Sequence, residues 1–289
     1  MAALHCLTFM TDYGLEDPFV AVCHGVAVQI APGIRIIDIT HLIPPGDIRR
    51  GAAVLAEAVP YLPAAVHVSV VDPGVGTQRR AIAVEAGGAL FVGPDNGLLT
   101  WGITAAGGAS RAVELNNPAL WRDQVTATFH GRDIFMPAAA WLAAGVPLER
   151  AGDPIDVADL VPLPVPACEV ADGAAHAEVV TVDRFGNAQL SLPGDDAARA
   201  GLVPGATVTL GWDGGAVTVP FATTFGDVSP GELLCYRDSS GRVAIAIAGG
   251  DAAARLGLRQ GSAVVLTLAS LPSVRNRPRC AIICLNVTK

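Results

Sequence analysis

Val66-His67-Val68-Ser69-Val70-Val71-Asp72-Pro73-Gly74-Val75-Gly76-Thr77-Gln78-Arg79-Arg80 is the stretch on which the reading of this chain turns. Residues 66–71 are mostly β-branched and apolar, the composition of a buried strand. The run ends in a carboxylate, and Pro73, Gly74 and Gly76 then stop the strand and permit a tight turn. Two arginines, Arg79 and Arg80, follow in the same loop. An acid and a guanidinium beyond the carboxyl end of a buried strand stand where open α/β sheets hold their ligands.

On either side of this strand the chain alternates between strand and helix patterns. Residues 5–10 and 34–39 read as two more buried strands. Between and after them, residues 20–30 and 48–58 carry helical spacing, with Asp17-Pro18 and Asp47 as expected helix starts. Residues 81–85 and 90–92 read as short strands around Gly87-Gly88, a helix starts near Leu98, and an alanine-rich helix covers 136–144. This alternation predicts an α/β domain over 1–155 with a mainly parallel sheet flanked by helices. Pro154, Pro162, Pro164 and Pro166 then punctuate a linker in which no helix persists. Short alternating runs at 177–183, 206–212, 215–221, 233–237, 243–247 and 263–268 predict a smaller antiparallel β domain over 170–270, a barrel or a sandwich. Residues 271–289 match no pattern and stay unassigned.

At 289 residues with 51% hydrophobic and 16% charged side chains, the chain can bury a sizeable core and is not globally disordered. A net charge of −8 argues against nucleic acid or an anionic membrane as partner. Cys6, Cys23, Cys168, Cys235, Cys280 and Cys284 form no CxxC pair, which points to reduced thiols in a cytoplasmic protein. Neither a signal peptide nor an apolar run long enough to span a membrane is apparent, so a soluble protein is expected. His5, His24, His41, His67, His130 and His176 show no ligand spacing, and no metal is expected. GxGxxG, GxxxxGK[ST], GxSxG and HExxH are all missing.

Four loop groups carry candidate chemistry. Asp72, Arg79 and His130 combine an acid held ionised by an arginine with an imidazole able to orient or deprotonate water. The plainer alternative is a turn cap, a surface ion pair and a core histidine. Asp12, at another strand end, can accept from both hydroxyls of a ribose or merely close an Asx turn. Asp95 and Asn96 place an acid and an amide in a third loop. In the second domain, Asp183-Arg184-Phe185-Gly186-Asn187 offers a ring to stack on a base and an amide to bond one, or a hairpin turn with an aromatic plug.

Phe9-Met10-Thr11-Asp12-Tyr13-Gly14, Asp38-Ile39-Thr40-His41, Val71-Asp72-Pro73-Gly74-Val75-Gly76-Thr77, Pro94-Asp95-Asn96-Gly97 and Phe129-His130-Gly131-Arg132-Asp133 occur in one order. That order resembles the S-adenosyl-L-methionine (SAM) hydroxide adenosyltransferases, also called adenosine-forming SAM hydrolases, which are relatives of the fluorinase and chlorinase enzymes. The likeness extends through residues 183–187 and 241–257 and covers roughly residues 5–268. It implies an N-terminal α/β domain, a C-terminal β-barrel and a homotrimer holding SAM between subunits, with water displacing methionine from the ribose C5′ to give adenosine and L-methionine. By matching position, Asp72, Arg79 and His130 are the catalytic residues. Asp12, Asn96, Asp183, Phe185, Asn187, Ser239 and Gly249 bind substrate, and no cofactor is needed.

The halogenating relatives replace the Asp72–Gly76 stretch and the histidine, both retained here, and the fluorinase carries an added loop for which the segment from Arg80 to Asp95 is too short. The resemblance thus favours water over halide as nucleophile. A SAM-dependent halogenase and a SAM-binding protein without turnover are the alternatives. Gln189, Ser191 and Ala248 depart from the usual family pattern.

Overall fold

Residues 3–269 are described by a computed structural model. The chain divides into two compact units at Val165/Pro166. The unassigned tail 271–289, with Cys280 and Cys284, lies outside the described residues.

The first unit runs β1 (Cys6–Thr11), α1 (Phe19–Ile30), β2 (Arg35–Thr40), α2 (Ile48–Ala58), β3 (Val66–Val70), β4 (Ala81–Ala86), β5 (Ala89–Pro94), α3 (Thr100–Ala105), β6 (Ala109–Glu114), α4 (Met136–Ala143) and β7 (Pro154–Ile155). Its sheet has the order β2-β1-β3-β5-β4-β6-β7. The four strands β2, β1, β3 and β5 are parallel, and β4, β6 and β7 continue the sheet antiparallel. Every residue of β3 is buried because both faces of the sheet are covered. Val66, Val68 and Val70 join Cys23, Ala27, Phe135 and Met136 in one core, while Met10, Val71 and Phe91 join Leu55, Leu98 and Ile103 in another. Burying each such large side chain stabilises by roughly 1.5–3 kcal/mol.

Register sets where the loops emerge. Thr11 lies opposite Val70 and Val68 opposite Val92, so β1, β3 and β5 all end at one edge of the sheet. Asp12 follows its strand directly, and Asp72 and Asn96 stand two residues beyond theirs. Asp47 caps α2 by accepting from the Arg50 backbone N–H at 2.9 Å, as its sequence suggests. The start of α1 differs: Pro18 itself takes the cap position, without a side-chain cap from Asp17. β6 and β7, which sequence patterning did not pick out, form the antiparallel margin.

The second unit runs β8 (Cys168–Ala171), β9 (Ala174–Val182), β10 (Ala188–Pro193), α5 (Gly194–Arg199), β11 (Thr207–Trp212), β12 (Gly215–Ala222), β13 (Leu233–Arg237), β14 (Arg242–Ile247), α6 (Ala252–Leu256) and β15 (Ala263–Leu268). The strands follow the order β10-β14-β13-β12-β11-β15-β9-β8, and β10 also pairs with β9. That last pairing closes seven strands into a barrel and leaves β8 outside it. The barrel is antiparallel except for β12 beside β13. Leu190, Leu192, Val208, Leu210, Phe221, Ile245 and Leu266 fill its interior.

Cys6, Cys23, Cys168 and Cys235 are free thiols. Burial pushes Cys23 and Cys235 up to about 12, which keeps them inert as nucleophiles. Among the described residues, no helix is long and apolar enough to cross a membrane.

Candidate active site

Asp72 leaves the buried β3 through Val71, and the Pro73–Gly76 turn brings the chain back so that Arg79 faces it. Arg79 Nε donates to Asp72 Oδ1 and Oδ2 at 3.0 and 2.9 Å, and Nη2 donates to Oδ2 at 2.5 Å. The same Nη2 lies 2.8 Å from His130 Nδ1. The guanidinium also stacks 5.1 Å from the centre of the Phe135 ring. Both members of the ion pair are nearly out of solvent, with side-chain exposures of 11% and 6%. A fork donating to a carboxylate in a dry site is among the stronger polar contacts available.

These contacts fix the state of His130. An arginine only donates, so Nδ1 accepts and a neutral imidazole carries its proton on Nε2. Burial lowers the His130 pKa below the ordinary imidazole range, the Arg79 charge lowers it further, and Asp72 only partly offsets them. Nε2 makes no hydrogen bond among the described residues and is free to donate to a ligand.

His130 sits at the mouth of a π-helical turn, Gly131–Phe135, that runs into α4. Such turns recur at functional sites because they re-aim a side chain within a helix. Asp133, fully buried, anchors the preceding loop by accepting from Thr126 N at 2.9 Å, Thr126 Oγ1 at 2.7 Å and Arg132 Nε at 2.7 Å. Burial works to raise its pKa, but the Arg132 and Thr126 hydrogen bonds bring it down to about 2. On the other side, Gly76 has φ +77° and a Cβ there would stand 2.6 Å from the Ala127 carbonyl oxygen, so the two loops meet only because this residue is glycine.

Asp12 Oδ2 accepts from the Gly46 backbone N–H at 2.9 Å, and Oδ1 makes no hydrogen bond among the described residues. Asn96 is hydrogen-bonded within the same edge of the sheet. Its Nδ2 donates to the Val71 carbonyl at 2.9 Å and its Oδ1 accepts from Leu98 N at 3.1 Å, which pins the strand end before Asp72 and leaves one N–H and one lone pair of the amide over.

Sequence reasoning did not nominate Tyr13. Its ring packs edge-on against Phe9, Phe19 and Phe129, and a Cβ on Gly131 would collide with its hydroxyl. Burial, followed by Cys23 and the charges of Asp12 and Asp72, holds this hydroxyl protonated well above its ordinary range. The signal was present in the Thr11–Gly14 motif, where only the acid drew notice.

In the second unit, Asp183 is the hub of a self-contained turn. Oδ1 accepts from Phe185 N at 2.8 Å and Asn187 N at 2.9 Å, and Oδ2 accepts from Asn187 Nδ2 at 2.7 Å. Asn187 is buried, whereas Phe185 is 76% exposed, a large aromatic held out by a rigid turn. Ser239 lies exposed in the turn closed by the Gly241 N–H to Asp238 carbonyl bond, and Gly249 adopts φ +73° just after β14. Two departures from the family pattern have structural roles. Gln189 Nε2 donates to Asp238 Oδ2 at 2.8 Å and lies 2.9 Å from Ser240 Oγ. Ser191 Oγ accepts from Glu178 N and donates to the Ala167 carbonyl. Ala248 is buried after β14, and nothing in the structure explains its departure from the family pattern.

Chain spacing gave no hint of one further cluster. His24, Asp38 and His41 bring potential ligand atoms within 4.8 Å of one another.

Comparison with known proteins joins the two units to one family. The N-terminal domain model of SAM hydroxide adenosyltransferase matches residues 7–152, and the C-terminal domain model matches residues 177–265. A relative from Salinispora tropica, named (R)-S-adenosyl-L-methionine hydrolase, is 54% identical over 92% of this chain and 99% of its own length. A fluorinase from Actinoplanes sp. is 28% identical over 91% and 97%. A solved structure from Thermotoga maritima, described as an uncharacterized conserved protein, is 35% identical and covers 90% of this chain and 99% of its own with a TM-score of 0.85. The chain belongs to the SAM hydroxide adenosyltransferase family.

Proposed function

We propose that the protein hydrolyses SAM to adenosine and L-methionine by attack of water or hydroxide on the ribose C5′. The observation that carries this reading is the Arg79 guanidinium, buried between the Asp72 carboxylate and His130 Nδ1 at the carboxyl edge of the parallel sheet.

The chemistry asks for little else. Sulfur leaves SAM as a neutral thioether, so no acid is needed to protonate it. As the new O–C5′ bond forms, the electron pair of the C5′–S bond passes to sulfur and the sulfonium charge disappears. Water is a poor nucleophile, and the site has to hold it in line and favour its hydroxide form. Arg79 supplies positive charge for that, and the water proton leaves to solvent. The Nε2 proton of His130 and the Asp72 carboxylate orient the oxygen.

Asp12, with Oδ1 unspent, takes the ribose hydroxyls. Asp183, Phe185 and Asn187 hold the methionine and adenine ends, with Ser239 and the Gly249 backbone at the adenine edge. Asn96, which also pins the strand end before Asp72, is a further substrate-binding residue. The reaction uses neither a metal nor an organic cofactor. The assembly is the homotrimer that the family resemblance implies, with substrate at subunit interfaces.

The test is incubation with SAM, with and without chloride, followed by chromatography of the products. Adenosine and methionine are expected irrespective of halide, and both form far more slowly in Asp72→Ala and His130→Ala. A 5′-chloro-5′-deoxyadenosine formed only with chloride would make the protein a halogenase. SAM binding without product would make it a binding protein.

A further inference from the structure

Phe9, fully buried in β1, packs against two imidazoles: its ring centre lies 5.9 Å from that of His24 and 4.9 Å from that of His41. The two histidines come from α1 and from the residue just after β2, and β2 itself supplies Asp38 between them. His24 Nε2 lies 2.9 Å from Asp38 Oδ1, and His41 Nε2 lies 3.2 Å from the same oxygen. In a tetrahedral site with bonds of roughly 2.0–2.1 Å, neighbouring ligand atoms stand ~3.3 Å apart, close to both separations.

His41 shows more than proximity. It is 4% exposed, and its Nε2 is buried without a hydrogen bond although Asp38 is near. Its other nitrogen, Nδ1, lies 2.9 Å from Thr11 Oγ1. With Nδ1–H donating to that hydroxyl, the Nε2 lone pair points into the cluster, the outer hydrogen bond that metal-binding histidines usually make. His24 and Asp38 are 31% and 40% exposed, which leaves an entry path and room for water as a further ligand.

We propose that His24 Nε2, His41 Nε2 and the Asp38 carboxylate bind a divalent transition-metal ion of the zinc type. Two imidazoles and one carboxylate suit zinc, cobalt or nickel and disfavour magnesium and calcium, which take oxygen ligands. The ion is structural. It ties α1 and β2 to Thr11, the residue before Asp12, and takes no part in bond breaking.

Untagged protein, stripped with a chelator, is titrated with Zn2+ by calorimetry and with Co2+ by visible absorption. About one ion should bind per chain, Co2+ should give the bands of a low-coordinate nitrogen and oxygen site, and Mg2+ or Ca2+ should not compete. His24→Ala and Asp38→Asn, both at partly exposed positions, should each abolish saturable binding while keeping the parent circular dichroism. Thr11→Val should weaken it by about 10–100-fold. No saturable binding in the parent, or binding unchanged in both ligand variants, would overturn the proposal.

Discussion

Asp72 and Asp183 are both carboxylates at the end of a strand, and each accepts three hydrogen-bond contacts. Their sources differ. Asp183 is satisfied by residues two and four positions further on, so its turn carries its own geometry. Asp72 depends on Arg79, whose second contact, His130, is 51 residues away on a loop anchored by Asp133. A local turn can present a ring or an amide. A charged site with a defined proton position needs long-range support, because each buried group must be satisfied by another.

The largest expected effect separates rate from binding. Arg79→Ala or Asp72→Ala should lower kcat by about 10²–10³-fold with little change in KM for SAM. Asp183→Ala should raise KM and leave kcat near the parent value. A rate loss in Asp183→Ala as deep as that in Asp72→Ala would erase the distinction.

Next in size is Asp133→Ala. Loss of the charged hydrogen bonds that hold residues 122–130 should cost about 2–3 kcal/mol in urea unfolding. It should also lower kcat more than it raises KM, since His130 would lose its aim. Undiminished kcat would show that His130 is placed without that anchor.

The pH profile tests the proton on His130. The active form is neutral and its pKa is lowered by burial and by Arg79. kcat/KM, which reports the free enzyme, should therefore stay level as pH falls through about 6.5, the ordinary imidazole value, and decline only below it. An acid limb at or above that value would mean that His130 works as an ordinary exposed base.

Phe185→Ala should have the smallest effect. With the ring exposed, stability should stay within about 0.5 kcal/mol of the parent. KM should rise by roughly fivefold, a stacking contribution of about 1 kcal/mol. Unchanged KM would remove Phe185 from the substrate site.

What the chain disclosed follows the same division. Asp72, Arg79 and the Asp183–Asn187 turn were legible because apolar runs and turn residues bracket them within a few positions. Strand β6, Ala109–Glu114, escaped because its first half is exposed and carries Ser110 and Arg111. β10 escaped because Gln189 and Ser191 are polar yet buried, each held by side-chain hydrogen bonds that no pattern displays. Asn96 drew notice as an amide in a loop, but only the register of β3 beside β5 shows it bonded to Val71. Tyr13, Asp133, Asp38 and His41 stand in motifs visible in the chain, but their contacts join separate segments, and the spacing of one sequence does not show which segments meet.

The central claim is that water attacks C5′, and the most direct test is turnover in water labelled with heavy oxygen, with products read by mass spectrometry. Label is predicted in the 5′-hydroxyl of adenosine and none in methionine. Unlabelled adenosine, or label in the amino-acid fragment, would contradict the account.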